Sequence, residues 1–194
     1  MLIRMATAAD IPQILDIYGP YVRNTAISFE YEVPTLEEFT RRFHTITAQF
    51  PWLVWEEQGK VLGYAYGSAP FERAAFRWCA EASIYLHPSI HGKGVGKALY
   101  AVLEAILALQ GYWKVYVLVT TANKNSLAFH EAVGYQFTAS MPNCGYKLGC
   151  WHGLIWLEKL LNAGENPQNF PISVGSIVDF DRKFQNILDN LSLS

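Results

Sequence analysis

The sequence is short of every feature that marks a nucleic-acid-binding, membrane-spanning or disulfide-framed protein. Lysine and arginine number 15 against 17 aspartates and glutamates, so there is no basic excess with which to hold a phosphate backbone. No stretch of about 18 apolar residues is present to span a bilayer, and MLIRMATAAD turns polar too soon for the apolar core of a secretory leader. Cysteine is scarce. Cys79, Cys144 and Cys150 are odd in number and lack a CxxC pair, which argues for reduced thiols over a disulfide frame or a zinc site. The expectations are a cytoplasmic protein with no nucleic acid, membrane or metal partner.

What is present is core material. Of the 194 residues, 51% are hydrophobic and 14% aromatic, enough for one well-filled domain. A short strand at 2–5 precedes TAAD, a capping box, and Ile11, Ile14, Leu15 and Tyr18 then recur at helical spacing until Gly19 and Pro20 interrupt them. A second capping box, TLEE at 35–38, opens a helix to about Gln49. WLVWE (52–56) and VLGYAYG (61–67) flank the turn-like EQGK, and a third extended run covers 76–86. The strongest helix spans 95–109 and ends at Gly111. After it come a strand at 113–120, a short helix at 125–133 and two strands, YQFTA and CWHGLIWLE. The order predicts a mixed α/β fold around one sheet. Residues 162–177 read as a linker, and Phe180, Phe184, Ile187, Leu188 and Leu191 share one helical face, suited to packing on the domain or on a partner.

One loop stands out. SIYLHPSIHGKGVGKALY runs from a strand through three glycines into the long helix, which places unpaired backbone N–H groups at the positive end of a helix dipole, a recipe for anion binding. A triphosphate loop needs four residues between its glycine and GK, followed by Ser or Thr. Gly92 and Gly96 enclose three, and Ala98 follows Lys97. The dinucleotide fingerprint would need glycine at Lys97. His91, Gly94 and Gly96 instead follow the spacing of the pyrophosphate loop of GNAT N-acetyltransferases, which this loop resembles. AEASIYLHP (80–88), NKNSLAFHEAVGY (123–135), GYKLGCWH (145–152) and IRMATAADIPQILDIY near the start are similar to the phosphinothricin acetyltransferase branch, over about residues 2–160.

The resemblance implies a GNAT-like acyl-CoA N-acyltransferase fold, a mostly antiparallel central sheet flanked by helices, over residues 1–161, with 162–194 a linker and amphipathic helix of unknown role. It implies acetyl-CoA as cofactor, held by Ile84, Tyr85 and Leu86, by His91, Gly92, Lys93, Gly94, Val95, Gly96 and Lys97, and by Asn125 and Ser126. An attacked amine must be neutral, yet an α-amino group near pKa 8 is mostly protonated at neutral pH. Glu81, in a small apolar run where desolvation raises a carboxyl pKa, is the matching general base. Backbone N–H groups at Ile84–Leu86 would meet the oxygen that gains charge. His130 matches the position that serves the leaving thiolate. Arg73 matches an arginine that meets the substrate's acidic group, and its fork suits a carboxylate or phosphinate; Phe29, Tyr31, Tyr146 and Lys147 are candidate pocket residues. Cys79 lies on the Glu81 face, but nothing nearby activates it, so direct transfer in a ternary complex is expected.

The sequence departs from the branch in four places: a loop before Glu81 that is one residue shorter, Glu72 where a basic or neutral residue is common, His91 in place of Arg or Gln, and Gly153 in place of Asp. The leading expectation is an N-acetyltransferase for a small amino-acid-like amine such as phosphinothricin, methionine sulfoximine or methionine sulfone, working as a homodimer. The alternatives are a polyamine, an antibiotic amine or a peptide N-terminus as acceptor, or a silent acetyl-CoA-binding module.

Overall fold

The computed structural model describes residues 2–162 and 169–191. Seven strands, β1 (Leu2–Met5), β2 (Trp52–Glu57), β3 (Lys60–Ser68), β4 (Cys79–Leu86), β5 (Lys114–Thr120), β6 (Gln136–Lys147) and β7 (Cys150–Leu160), form one sheet in the order β1-β2-β3-β4-β5-β7-β6. Every neighbouring pair is antiparallel except β4 and β5. Helices α1 (Ile11–Asn24) and α2 (Leu36–Thr47) cover one face, with Ile11, Ile14, Val22, Phe39 and Phe43 buried against Trp52, Val54 and Tyr64. The long α3 (Val95–Gln110) fills the other face with Leu99, Leu103, Ile106 and Leu107, joined by α4 (Lys124–Ala132) and α5 (Phe180–Leu191).

Local signals fix most element ends. The Thr35 hydroxyl accepts from the Glu38 N–H at 3.2 Å and starts α2. Gln58 and Gly59 have φ of 51° and 77°, both left-handed, as a two-residue hairpin between twisted strands requires. Leu148 and Gly149, at 51° and 78°, close the β6–β7 hairpin in the same way.

Three expectations need correction. Helix α1 runs through Gly19 and Pro20. Pro20 lacks the N–H that would reach Asp16, a defect of about 3 kcal/mol in a helix interior, but Ile11, Ile14, Ile17, Tyr18 and Val22 are all buried, and each contributes roughly 1.5–3 kcal/mol. Strand β6 continues well past Ala139 to Lys147. Pro142 lies within it, and β6 is an edge strand, where proline removes no interior ladder bond. Shifts of register after Phe137 and Met141 absorb the extra residues as bulges. The third extended run becomes strand only at Cys79, since Ala74–Phe76 form a 3-10 turn.

Part of the expected linker, 163–168, lies outside the described residues. From Asn169 the chain returns across the domain. The Ile172 N–H donates to the Gln110 carbonyl at 2.9 Å, and the Gln110 side chain donates to the carbonyls of Ile172 and Gln49 at 2.8 and 2.7 Å. Val174 and Ile177 enter the core, and Phe180, Phe184 and Ile187 of α5 pack on it. The amphipathic face thus meets this chain's own α3.

Candidate active site

The site begins where the parallel pair gives out. β4 pairs with β5 from Cys79 to Glu81, opposite Lys114 to Tyr116. Beyond that, β4 pairs with β3 and β5 with β7, so the two strand ends part. The His87 N–H donates to the Leu62 carbonyl at 2.7 Å. By the alternation of an antiparallel ladder, Tyr85 also turns its peptide groups toward β3, while Ile84 and Leu86 turn theirs toward the gap. The Leu86 carbonyl accepts from the Tyr21 hydroxyl at 2.6 Å, with the His91 ring nitrogen 3.1 Å away. Its N–H and that of Ile84 are the groups aimed into the cleft.

A cavity of about 590 Å³ continues from this gap, lined by Ile84, Leu86, His91, the glycine loop, Asn125, Ser126 and Phe129. Gly92 and Gly94 have φ of +71° and +80°, with open space where a Cβ would stand, so the loop presents backbone rather than side chains. Gly94 caps α3 without a side-chain hydrogen bond, and the first-turn N–H groups point into the cavity's end. A Cβ on Gly96 would lie 3.2 Å from the Phe129 ring. Uncapped N–H groups at a positive helix end fit a pyrophosphate, and a narrow cleft edged by the Ile84 and Leu86 peptides fits an extended amide-bearing arm. The residues present therefore fit acetyl-CoA.

Glu81 stands at the apex, on the α1/α2 face of β4 with Cys79, Ser83 and Tyr85. Among the described residues it has no hydrogen bond or ion pair, and burial alone lifts its carboxyl from the ordinary value of 4.5 to about 7. Its neighbours are aromatic: Tyr66, whose hydroxyl bonds Ser83 and whose ring stacks on Trp52 at 4.1 Å, and Tyr116, directly opposite on β5. Burial pushes the pKa of the Cys79 thiol up, so nothing here activates it as a thiolate.

His130 lines the apex from the other face with Tyr100, Val117 and Val119. It is 3% exposed. Its Nδ1 lies 2.7 Å from the Ser126 carbonyl, to which it can only donate, so Nε2 accepts the Tyr100 hydroxyl at 2.9 Å. Burial lowers its pKa to about 4. At neutral pH His130 is therefore uncharged with both nitrogens engaged and the Tyr100 proton committed to Nε2, which leaves the Ser126 hydroxyl as the side-chain donor beside the cleft. Sequence reasoning missed Tyr100, which sits on the apolar face of α3, and Tyr21. Asn123 caps α4, its side-chain oxygen accepting from the Ser126 N–H at 3.2 Å.

Of the candidate pocket residues, the structure groups Phe29, Tyr31 and Tyr146 where the chain after α1 meets the end of β6. The Tyr31 hydroxyl donates to the Tyr146 carbonyl, and the Phe29 ring fills the space a Cβ on Gly145 would need. Glu30, between them, is anchored by Arg42 and by the Tyr18 hydroxyl. Lys147 does not join this group as a pocket residue. It is 4% exposed, and its ammonium donates to the Val22 and Ser28 carbonyls at 2.7 and 2.6 Å, tying β6 to the end of α1. Arg73 is exposed in the loop between β3 and β4, and Lys93 and Lys97 are exposed on the glycine loop and the start of α3.

Residues 3–156 match the family model of the acetyltransferase (GNAT) domain. The chain belongs to the GNAT acetyltransferase family. It is 33% identical over 157 residues to a phosphinothricin N-acetyltransferase of Streptomyces viridochromogenes, covering 81% of this chain and 86% of the relative. It is 34% identical over 160 residues to an L-methionine sulfoximine/L-methionine sulfone acetyltransferase of Pseudomonas aeruginosa, covering 80% and 92%. Among solved structures, a phosphinothricin acetyltransferase from Sinorhizobium meliloti in complex with AcCoA superposes with a TM-score of 0.81 at 34% identity, over 92% of this chain and 96% of that one. This GNAT enzyme is thus an acetyltransferase, as the sequence implied, with the mixed, mostly antiparallel sheet expected.

Proposed function

We propose that this enzyme transfers an acetyl group from acetyl-CoA to the amino group of a small amino-acid-like molecule of the phosphinothricin or methionine sulfoximine kind. The observation that carries the reading is Glu81, a desolvated carboxyl without a partner, poised near neutral pH at the point where β4 and β5 part. Acetyl-CoA supplies the activated acetyl group. The uncapped N–H groups at the start of α3 would hold its pyrophosphate, and the Ile84 and Leu86 peptides its pantetheine arm. One of those two N–H groups would stabilise the oxygen that gains charge. Glu81 takes the proton from the acceptor ammonium, directly or through water, and releases the amine as a nucleophile. His130, held neutral, takes the Tyr100 hydroxyl as its donor and lies against Ser126, whose hydroxyl can donate toward the leaving sulfur. Phe29, Tyr31 and Tyr146 would flank the acceptor, with Arg73 for its acidic group. Transfer is direct within a ternary complex.

The cellular form we infer is a cytoplasmic homodimer. Among the described residues no helix is long and apolar enough to cross a membrane. Edge strand β6 and the adjoining turn and strand leave Phe137, Met141, Tyr146, Leu148 and Trp151 exposed, a surface that a second copy would cover.

The test is release of free CoA thiol with phosphinothricin, methionine sulfoximine, methionine sulfone, spermidine and short peptides as acceptors. Saturable turnover of the first three, lost in Glu81→Gln, is expected. Turnover confined to the polyamine or peptides would overturn the acceptor class.

A further inference from the structure

The residues that follow the matched domain end against the loop that borders Glu81. Ala69–Trp78 joins β3 to β4 and carries Arg73. On one side it is pinned to the acceptor face of the sheet, where the Phe71 ring stacks on Trp156 at 5.5 Å and 2° and lies 6.3 Å from Tyr116, the residue opposite Glu81. On the other side it meets the returning chain. The Trp78 indole N–H donates to the Asn169 carbonyl at 2.9 Å, the Trp78 ring stacks on Phe170 at 4.8 Å, and the Arg77 guanidinium lies 5.3 Å from the centre of that ring.

Between these two anchors Phe71 and Phe76 meet each other, ring centroids 4.4 Å apart, and the loop stands off the body of the domain. A cavity of about 370 Å³ lies under it, walled by Phe71, Phe76 and Arg77 on the loop side and by Phe50, Tyr112, Phe170 and Pro171 on the other. A loop of exposed residues over a cavity takes its position from its attachments. Here one attachment is the sheet and the other is the C-terminal segment, itself locked by Gln49 and Gln110 onto the body of the domain.

We propose that residues 169–172 act as a strap that sets the acceptor loop, with Phe170 a positioning residue for acceptor binding. Phe170 acts through Trp78 and Arg77 on the loop that carries Arg73, and so on affinity for the acceptor and not for acetyl-CoA, whose cleft lies at the opposite ends of β4 and β5. The proposal rests on the acceptor assignment made above for the acidic-group partner.

The experiment is steady-state kinetics of full-length Phe170→Ala and Phe170→Tyr with methionine sulfoximine as probe, together with hydrogen exchange of the loop peptides. Loss of one ring stack and one cation–π contact is expected to raise the acceptor KM about tenfold in Phe170→Ala. The acetyl-CoA KM and kcat should stay within about twofold, exchange across 69–78 should quicken, and Phe170→Tyr should restore the acceptor KM and the slow exchange. Unchanged acceptor KM and unchanged loop exchange would overturn the proposal. So would a parallel fall in kcat and both affinities with a lowered Tm, which marks a structural role only. If methionine sulfoximine is not a substrate of the wild-type enzyme, the acceptor class fails by itself; the exchange measurement then decides the strap, faster exchange supporting it and unchanged exchange overturning it.

Discussion

Replacing Glu81 by glutamine keeps the shape of the side chain and removes a charge that burial disfavours. The fold lifts the carboxyl from 4.5 to about 7, and at 1.36 kcal/mol per pKa unit this corresponds to a cost on the order of 3 kcal/mol for the ionised form. The sign follows from proton counting. Between about pH 4.5 and 7 the native state holds a proton that the unfolded chain has released, so stability falls as pH rises across that window and is level above it. Glutamine carries no such penalty. Near pH 4 the two proteins should melt alike, whereas at pH 8 Glu81→Gln should be more stable by up to about 3 kcal/mol, or roughly 6–12 °C in Tm for a domain of this size. Activity should move the other way. Wild-type kcat/KM should climb through pH 7 as the base is freed, with a second limb near pH 8 from an α-amino acceptor. Glu81→Gln should lose about 100- to 10,000-fold and keep only the second limb. Thermal melts from pH 4 to 9 and CoA-release rates over the same range make the comparison. A variant within tenfold of wild type, or a Tm difference that does not grow from pH 4 to 8, would refute the assignment of a desolvated general base.

Four further outcomes can be checked. The His130 ring, held neutral by burial with a pKa of about 4, should show no titration above pH 5 by NMR, and a midpoint near 6.5 would contradict the buried Tyr100–His130 pair. Lys147→Met leaves the Val22 and Ser28 carbonyls without their donor, so it should cost about 2–4 kcal/mol in denaturant unfolding while acetyl-CoA affinity by calorimetry stays unchanged. Gly94→Ala forces a side chain onto φ +80°, a strain of about 1–2 kcal/mol, and calorimetry should find acetyl-CoA binding weakened about tenfold. Phe137→Glu combined with Trp151→Glu should convert a dimer to monomer in sedimentation velocity, and a wild-type monomer would refute the β6 interface.

The parts of this enzyme that were legible in the sequence are those whose chemistry is local. A glycine at 94 reports a backbone angle, and a carboxylate among Ala80, Ala82 and Ser83 reports its own desolvation. Each can be read without knowing what lies across the fold, which is why the glycine loop and the buried carboxyl at the strand end were legible. Lys147 was read wrongly for the opposite reason. Its partners Val22 and Ser28 lie 125 and 119 positions away, and next to Tyr146 in a hairpin it looks like a pocket cation. The role of His130 likewise turns on Tyr100, thirty positions earlier, whose hydroxyl takes up the one ring nitrogen that the Ser126 carbonyl leaves free. The segment from 162 looks like a linker because Asn, Gly, Pro and Ser dominate it, yet Gln49 and Gln110 supply the donors that such a segment lacks internally, and Phe170 and Ile177 supply the apolar contacts. The same division separates the two halves of the function. Cofactor recognition here is written in backbone conformations that glycine encodes residue by residue. Acceptor recognition, as proposed, would be assembled from a loop, a hairpin end and a returning tail, so its specificity would depend on contacts between segments far apart in the chain.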